Sequence, residues 1–198
     1  MIRCFVAVEL DDPLRRALAD VQHRMRGRIE KALGPDSRVQ WVRPESVHVT
    51  LKFLGDVEES RISDLEAALR RVAAAHFVGV VEVAGLGVFP DTRNPRVLWV
   101  GLREGSALIV RLAEAVDQAM SEAGFPPESR PFSPHLTLAR IKQGGRAVGR
   151  ALESQGLLTE SPVLGRLPVG ALALMQSDLR PSGAAYTRLA EFVLKAED

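Results

Sequence analysis

Two short segments of this chain each place an imidazole next to a hydroxyl: HVTLKFL at 48–54 and HLTLARI at 135–141. Both read His-x-Thr followed by an apolar residue, in alternating, β-rich sequence. Side chains two apart on a strand share a face, so His48 and Thr50 point one way together, as do His135 and Thr137. The chain holds only four His and five Thr, so two His carrying Thr at the same offset reads as a duplication. Two imidazoles facing one cleft can divide general-base and general-acid work, because a His pKa near ~6.5 leaves both protonation states accessible at neutral pH. A Thr hydroxyl beside each is suited to donate to non-bridging phosphate oxygens. The set fits in-line displacement at phosphorus, one His deprotonating the attacking oxygen and the other protonating the leaving one. No third His and no carboxylate at ligand spacing flanks either segment, so neither a metal nor a cofactor is expected.

The other two His read differently. His23 lies among Arg24, Arg26 and Arg28 on a helical stretch and is expected on a solvated face. His76 ends a helical stretch, where a cation is favourable against the dipole. Cys4, the only cysteine, sits in an alternating strand pattern and is expected to be buried and structural. Net charge is +1, too near neutral for a sequence-independent duplex-DNA binder. Of the 26 basic residues 22 are Arg, which suits bidentate phosphate contacts but also follows from codon bias. No apolar run approaches the roughly 20 residues that cross a bilayer, and the first residues lack a signal-peptide pattern, so a cytoplasmic protein without membrane contact is expected.

The elements that must position the two His follow from periodicity. Strands are predicted at 2–9, 39–43, 47–54, 78–88, 97–102, around His135, at 167–174 and at 186–194. Helices are predicted from Asp12-Pro13, with the Asp as cap, to Gly34, then at 59–75, 106–123 and 146–155. Leu14, Ala17, Leu18, Val21, Met25 and Leu33 form the stripe of the first helix. Helices and strands interleave, but hairpin-like strand pairs argue against a purely parallel sheet. The expected class is α+β, with two similar halves packed side by side and no long linker between them. Trp41 and Trp99 are assigned to the core.

The residues quoted so far, with WVRPESVHVTLKFLG at 41–55, GVFPDTRNPRVLWVGL at 87–102, SPHLTLARI at 133–141 and a closing strand pair holding Ser177, Gly183 and Tyr186, resemble the 2H phosphoesterase superfamily. Within it the likeness is to the RNA 2′,3′-cyclic phosphodiesterases, historically called 2′-5′ RNA ligases. The resemblance implies a bilobal fold, two pseudo-twofold-related and interleaved lobes forming a single domain over 1–198, each with a mainly antiparallel sheet and flanking helices around a central cleft. It implies hydrolysis of a terminal 2′,3′-cyclic phosphate to a 2′-phosphate without metal, acting as a monomer on RNA ends or nucleoside 2′,3′-cyclic phosphates. His48 and His135 match the catalytic pair, His135 activating water and His48 protonating the 3′-oxygen; Thr50 and Thr137 match the phosphate-holding hydroxyls. Arg140 matches a phosphate contact, and Phe53 stands as a base-stacking platform or a core residue. Strict alternation puts Arg140 opposite His135 and Phe53 opposite His48 unless each strand bulges. Two other readings use the same residues: 2′-5′ ligation, the reverse reaction, and non-catalytic binding of RNA ends, for which 5% aromatic content is sparse.

Overall fold

The computed structural model describes residues 1–159, 162–180 and 183–196. In β1 (Ile2–Glu9) alternation sends Cys4, Val6 and Val8 into a helix-covered core and turns Phe5 and Ala7 to the other face. The cap of α1 (Asp12–Ala32) is Asp11, one residue earlier than the sequence suggested: its carboxylate accepts from the Leu14 amide at 3.1 Å, and Pro13 sits in the first turn. Then come β2 (Arg38–Trp41), a 3₁₀ turn at Pro44–Ser46, β3 (His48–Val57), a 3₁₀ turn at Glu59–Arg61 and α2 (Ile62–Ala75). The second half holds β4 (Gly79–Phe89), β5 (Val97–Leu102), α3 (Ser106–Glu122), β6 (His135–Gln143), α4 (Gly145–Ser154), β7 (Val163–Val169), β8 (Ala171–Arg180) and β9 (Gly183–Val193). The single strand expected at 167–174 is therefore two strands parted by Gly170, and they belong to different sheets.

All ladders between these strands are antiparallel, giving a four-stranded sheet in the order β3-β1-β8-β9 and a five-stranded sheet in the order β2-β6-β5-β4-β7. Without β2, the second order, β6-β5-β4-β7, repeats the first. Each His-x-Thr strand occupies the corresponding place, the outermost of its four. Helices α2 and α3 pack on the first sheet, α1 and α4 on the second, and the helix-side faces of both merge into one apolar core. Among the described residues no helix is long and apolar enough to cross a membrane.

Among the described residues one charged side chain lies inside that core. Lys52 is 2% exposed, and its Nζ donates to Asp117 Oδ1 of α3 at 2.5 Å and to the Pro126 carbonyl at 2.7 Å. Asp117 also accepts from the Glu128 amide at 3.0 Å. The ammonium thus joins the strand of His48 to the helix and chain segment that lead to His135. Lys52→Met would leave the Pro126 carbonyl and a partly covered Asp117 without their cation, a loss of roughly 2 to 4 kcal/mol. Urea unfolding should show that loss for Lys52→Met and a smaller one for Asp117→Asn; equal, near-zero changes would deny the pair a structural role.

Candidate active site

Each catalytic-type imidazole is held in the same way. His48 Nδ1 lies 2.9 Å from the Ser46 carbonyl and His135 Nδ1 lies 2.8 Å from the Ser133 carbonyl, in both cases the residue two before the His. A carbonyl can only accept, so Nδ1 carries the proton in each ring and Nε2 is left as the working nitrogen. Rings enclose both. His48 stacks on Phe5, centroids 4.7 Å apart, with Tyr186 edge-on at 5.0 Å. His135 meets Phe89 edge-on at 5.1 Å, with Trp99 at 6.5 Å. Thr50 and Thr137 lie half-buried on the same strands, two residues beyond each His.

The strands do bulge. Along β1 the partners step from Ala7↔Thr50 to Val6↔Lys52, so Leu51 is an extra residue in β3. Along β5 they step from Trp99↔Thr137 to Leu98↔Ala139, so Leu138 is the extra residue in β6. Each insertion reverses the alternation beyond it. Leu51 and Lys52 are consecutive buried residues, as are Leu138 and Ala139, and past them Phe53 and Arg140 return to the histidine face. Phe53, 60% exposed, is thereby a cleft wall rather than a core residue, its ring 6.0 Å from Phe5. The bulges dispose of the parity objection to both residues.

Arg140 acts electrostatically on both rings. Burial holds His48 well below the ordinary imidazole value, at about 4, and the Arg140 charge pushes the same way against the opposing Ser46 carbonyl. Burial also lowers His135, again with Arg140 adding and the Ser133 carbonyl opposing. At pH 7 the free protein therefore holds two neutral imidazoles.

Between the lobes opens a cleft of about 600 Å³ with Phe5, Phe53 and Tyr186 on one wall and Trp41, Arg140 and Lys142 on the other. Arg3 and Arg43 also face it, and among the described residues no carboxylate does. A recess beside it, lined by His48, shares Arg43, Ser46 and Tyr186 with the cleft. Trp41, which the sequence placed in the core, does pack half-buried against the core and also lines the cleft wall, and Trp99, placed there too, neighbours the His135 imidazole. His23 is exposed, and His76 bonds the Val72 carbonyl at 2.8 Å at the end of α2, as expected for a cap. Sequence reasoning passed over Phe5, Arg3, Arg43 and Lys142; the parity of Arg3 and Phe5 on β1 would have paired them. Among the described residues no three His, Cys, Asp or Glu side chains gather as metal ligands would.

The model of the LigT-like phosphoesterases matches the chain twice, at residues 10–99 and 100–186, one match around each His-x-Thr. An RNA 2′,3′-cyclic phosphodiesterase of Methanothermobacter thermautotrophicus is 34% identical over 98% of this chain and 99% of its own. One of Archaeoglobus fulgidus is 33% identical over 96% and 99%. Among solved structures, TT0787 of Thermus thermophilus superposes with a TM-score of 0.79 at 30% identity over the whole of both chains. E. coli LigT in apo form shares the fold, with a TM-score of 0.71 at 22% identity over 98% and 97%. A duplicated motif, two matching four-strand sheets and a family model that fits each half in turn agree: the chain belongs to the LigT-like phosphoesterase family.

Proposed function

We propose that this chain is a metal-independent RNA 2′,3′-cyclic phosphodiesterase, with His48 and His135 as its acid–base pair. The observation that carries this reading is the pair of Nδ1-anchored imidazoles acted on by one guanidinium, that of Arg140, which lines the cleft. A water oxygen attacks phosphorus as His135 Nε2 takes its proton; the bond from phosphorus to the 3′-oxygen breaks, and His48 Nε2 protonates that oxygen. The product carries a 2′-phosphate and a 3′-hydroxyl. Thr50, Thr137 and Arg140 hold the non-bridging oxygens as charge builds on them. Phe53 offers its exposed face to the base of the terminal nucleotide. Both histidines belong to one chain, so the reaction needs a single domain over 1–198 and no second copy.

The electrostatics add a condition. A proton donor must be protonated, yet burial and Arg140 keep His48 neutral in the free protein. The cyclic phosphodiester is an anion, and beside Arg140 it offsets the charge that disfavours imidazolium. Substrate binding therefore draws a proton onto His48. Relatives bearing the name RNA 2′,3′-cyclic phosphodiesterase, and E. coli LigT solved in complex with 3′-AMP, support a nucleotide phosphate as the ligand. The run of Arg3, Arg43 and Lys142 beyond Arg140 supports RNA over a lone nucleotide, because each further phosphate finds a cation.

Phosphorus NMR of a nucleoside 2′,3′-cyclic phosphate with protein and chelator should show only the 2′-phosphate; activity that EDTA abolishes and zinc restores would remove the metal-free mechanism. His48→Ala and His135→Ala should each lose about 10²- to 10⁴-fold in kcat/KM, and Thr50→Val or Thr137→Val roughly 2 to 4 kcal/mol of transition-state stabilisation. A 3′-thio substrate, whose leaving group needs little protonation, should rescue His48→Ala alone; rescue of His135→Ala instead would exchange the two roles.

Because both rings are held low in the free protein, the bell of kcat/KM against pH should lie below ~6.5 and below the bell of kcat. Removing the Arg140 charge disfavours imidazolium less, so Arg140→Met should move the kcat/KM bell to higher pH. An unmoved bell would place the guanidinium out of reach of the rings.

Finally, Arg3→Ala and Lys142→Ala should raise KM for a cyclic-ended oligonucleotide and flatten its salt dependence by about 0.7 in slope for each phosphate left without its cation. The nucleoside 2′,3′-cyclic phosphate should be turned over unchanged. Equal losses on both substrates would mean that these residues serve the reacting phosphate.

A further inference from the structure

The apolar stripe of α1 is interrupted by an amide. Gln22 stands among Leu18, Met25 and Ile29, is 7% exposed, and faces the second lobe. Its Nε2 donates to the Val42 carbonyl at 2.7 Å and to the Leu138 carbonyl at 2.9 Å, across 20 and 116 residues of sequence. Both partners are carbonyl oxygens, which fixes the amide nitrogen toward them. Leu138 is the extra residue of the β6 bulge. The Val42 amide donates to the Leu138 carbonyl as well, at 2.9 Å. Gln22 and Val42 thus supply two donors to the bulge carbonyl, and a buried carbonyl without a partner would cost on the order of a lost hydrogen bond.

We propose that Gln22 is a positioning residue for the reaction: by tying Leu138 and Val42 together it holds the bulge that turns Arg140 to the histidine face. Without the extra residue, alternation would point Arg140 into the helix-side core and bring Ala139 to the cleft. The second bond serves the other lobe. Val42 opens the segment that runs through Pro44–Ser46 to β3, and the Ser46 carbonyl orients His48 through Nδ1. One buried amide therefore sets both where the guanidinium stands and how the segment before His48 is seated. This role rests on the phosphate contact proposed for Arg140.

The test is a double-mutant cycle with the pH profile as a second readout. Gln22→Met keeps the volume and the apolar packing but removes both donors. It should lower kcat/KM about 10- to 100-fold, the range in which supporting hydrogen bonds usually act on a site. It should also shift the kcat/KM bell toward higher pH, as Arg140→Met does, because a displaced guanidinium depresses the imidazoles less. In an Arg140→Met background the same Gln22 change should cost clearly less than in the wild type, since only the seating of the segment before His48 is left to it. An equal loss in both backgrounds would overturn the proposal, leaving Gln22 as a general support of the fold. Wild-type kcat/KM and an unmoved bell for Gln22→Met, with Arg140→Met impaired, would overturn it while sparing the phosphate role of Arg140. Wild-type kcat/KM for Arg140→Met itself would overturn that role and the proposal with it. If Gln22→Met does not fold, Gln22→Asn, an amide about 1.5 Å short of both carbonyls, goes through the same cycle with the same expected and overturning outcomes.

Discussion

His48 and Phe53 are five residues apart, as are His135 and Arg140, and on a regular strand an odd separation means opposite faces. The site exists because each strand contains one extra residue between its Thr and the residue that must rejoin the histidine face. In β6 the alternative register would bury the Arg140 guanidinium under α1, where an unpaired charge costs several kcal/mol. In β3 the alternative would bring Lys52 out of its bonds to Asp117 and Pro126 and push Phe53 into their place. Register is thus pinned from the core side, by the cost of burying an unpaired guanidinium and of breaking the Lys52 bonds. The same device delivers different groups: an aromatic face from the first lobe and a cation from the second.

That inequality extends to the imidazoles. Their anchoring is equivalent, but their surroundings are not. His48 lies face-on against Phe5, whereas His135 meets its nearest ring by an edge. Desolvation is the larger influence on both, so closer aromatic cover on one ring separates the two proton affinities. That separation lowers the proposed donor, His48, more than the proposed acceptor, His135, so taken alone it favours the exchanged assignment of the two roles. Arg140 lowers both rings and so contributes little to the difference. What it contributes is a response to charge: both imidazoles become more basic when an anion sits beside it.

Much of this was legible in the residues. The chemistry was written twice, the strands and helices followed from their periods, and the α+β class from the mixture of hairpins and helices. What was hidden shares one physical cause, namely backbone departures that leave no mark on hydrophobic pattern. The Leu51 and Leu138 bulges sit in apolar runs that read equally well as regular strand. The change of sheet at Gly170 lies in a continuous apolar stretch, because both strands are buried on their helix sides. Asp11 and Asp12 are equivalent cap candidates until the chain direction into the helix is known. Gln22 was the exception that a stricter count would have caught: a polar residue at the spacing of Leu18, Met25 and Ile29 is buried whatever its side chain, and a buried amide needs partners.

A duplicated sequence does not make duplicated bodies here. The family model matches each half of the chain, yet neither half builds a lobe. Two helices cross to the other side: α1 leaves β1 for the second sheet, and α3 leaves β5 for the first. The C-terminal strands β8 and β9 complete the sheet begun by β1 and β3. Several of these crossings are short. Gly170 alone separates β7 from β8, and residues 42–47 separate β2 from β3. Lobes tied by such brief connections cannot swing apart without breaking strand pairing. If the reaction is shared by two imidazoles on opposite lobes as proposed, such rigidity lowers the binding energy consumed in assembling the pair. Exchange of elements between the halves is, on this view, the structural condition for dividing one proton transfer between two copies of the same motif.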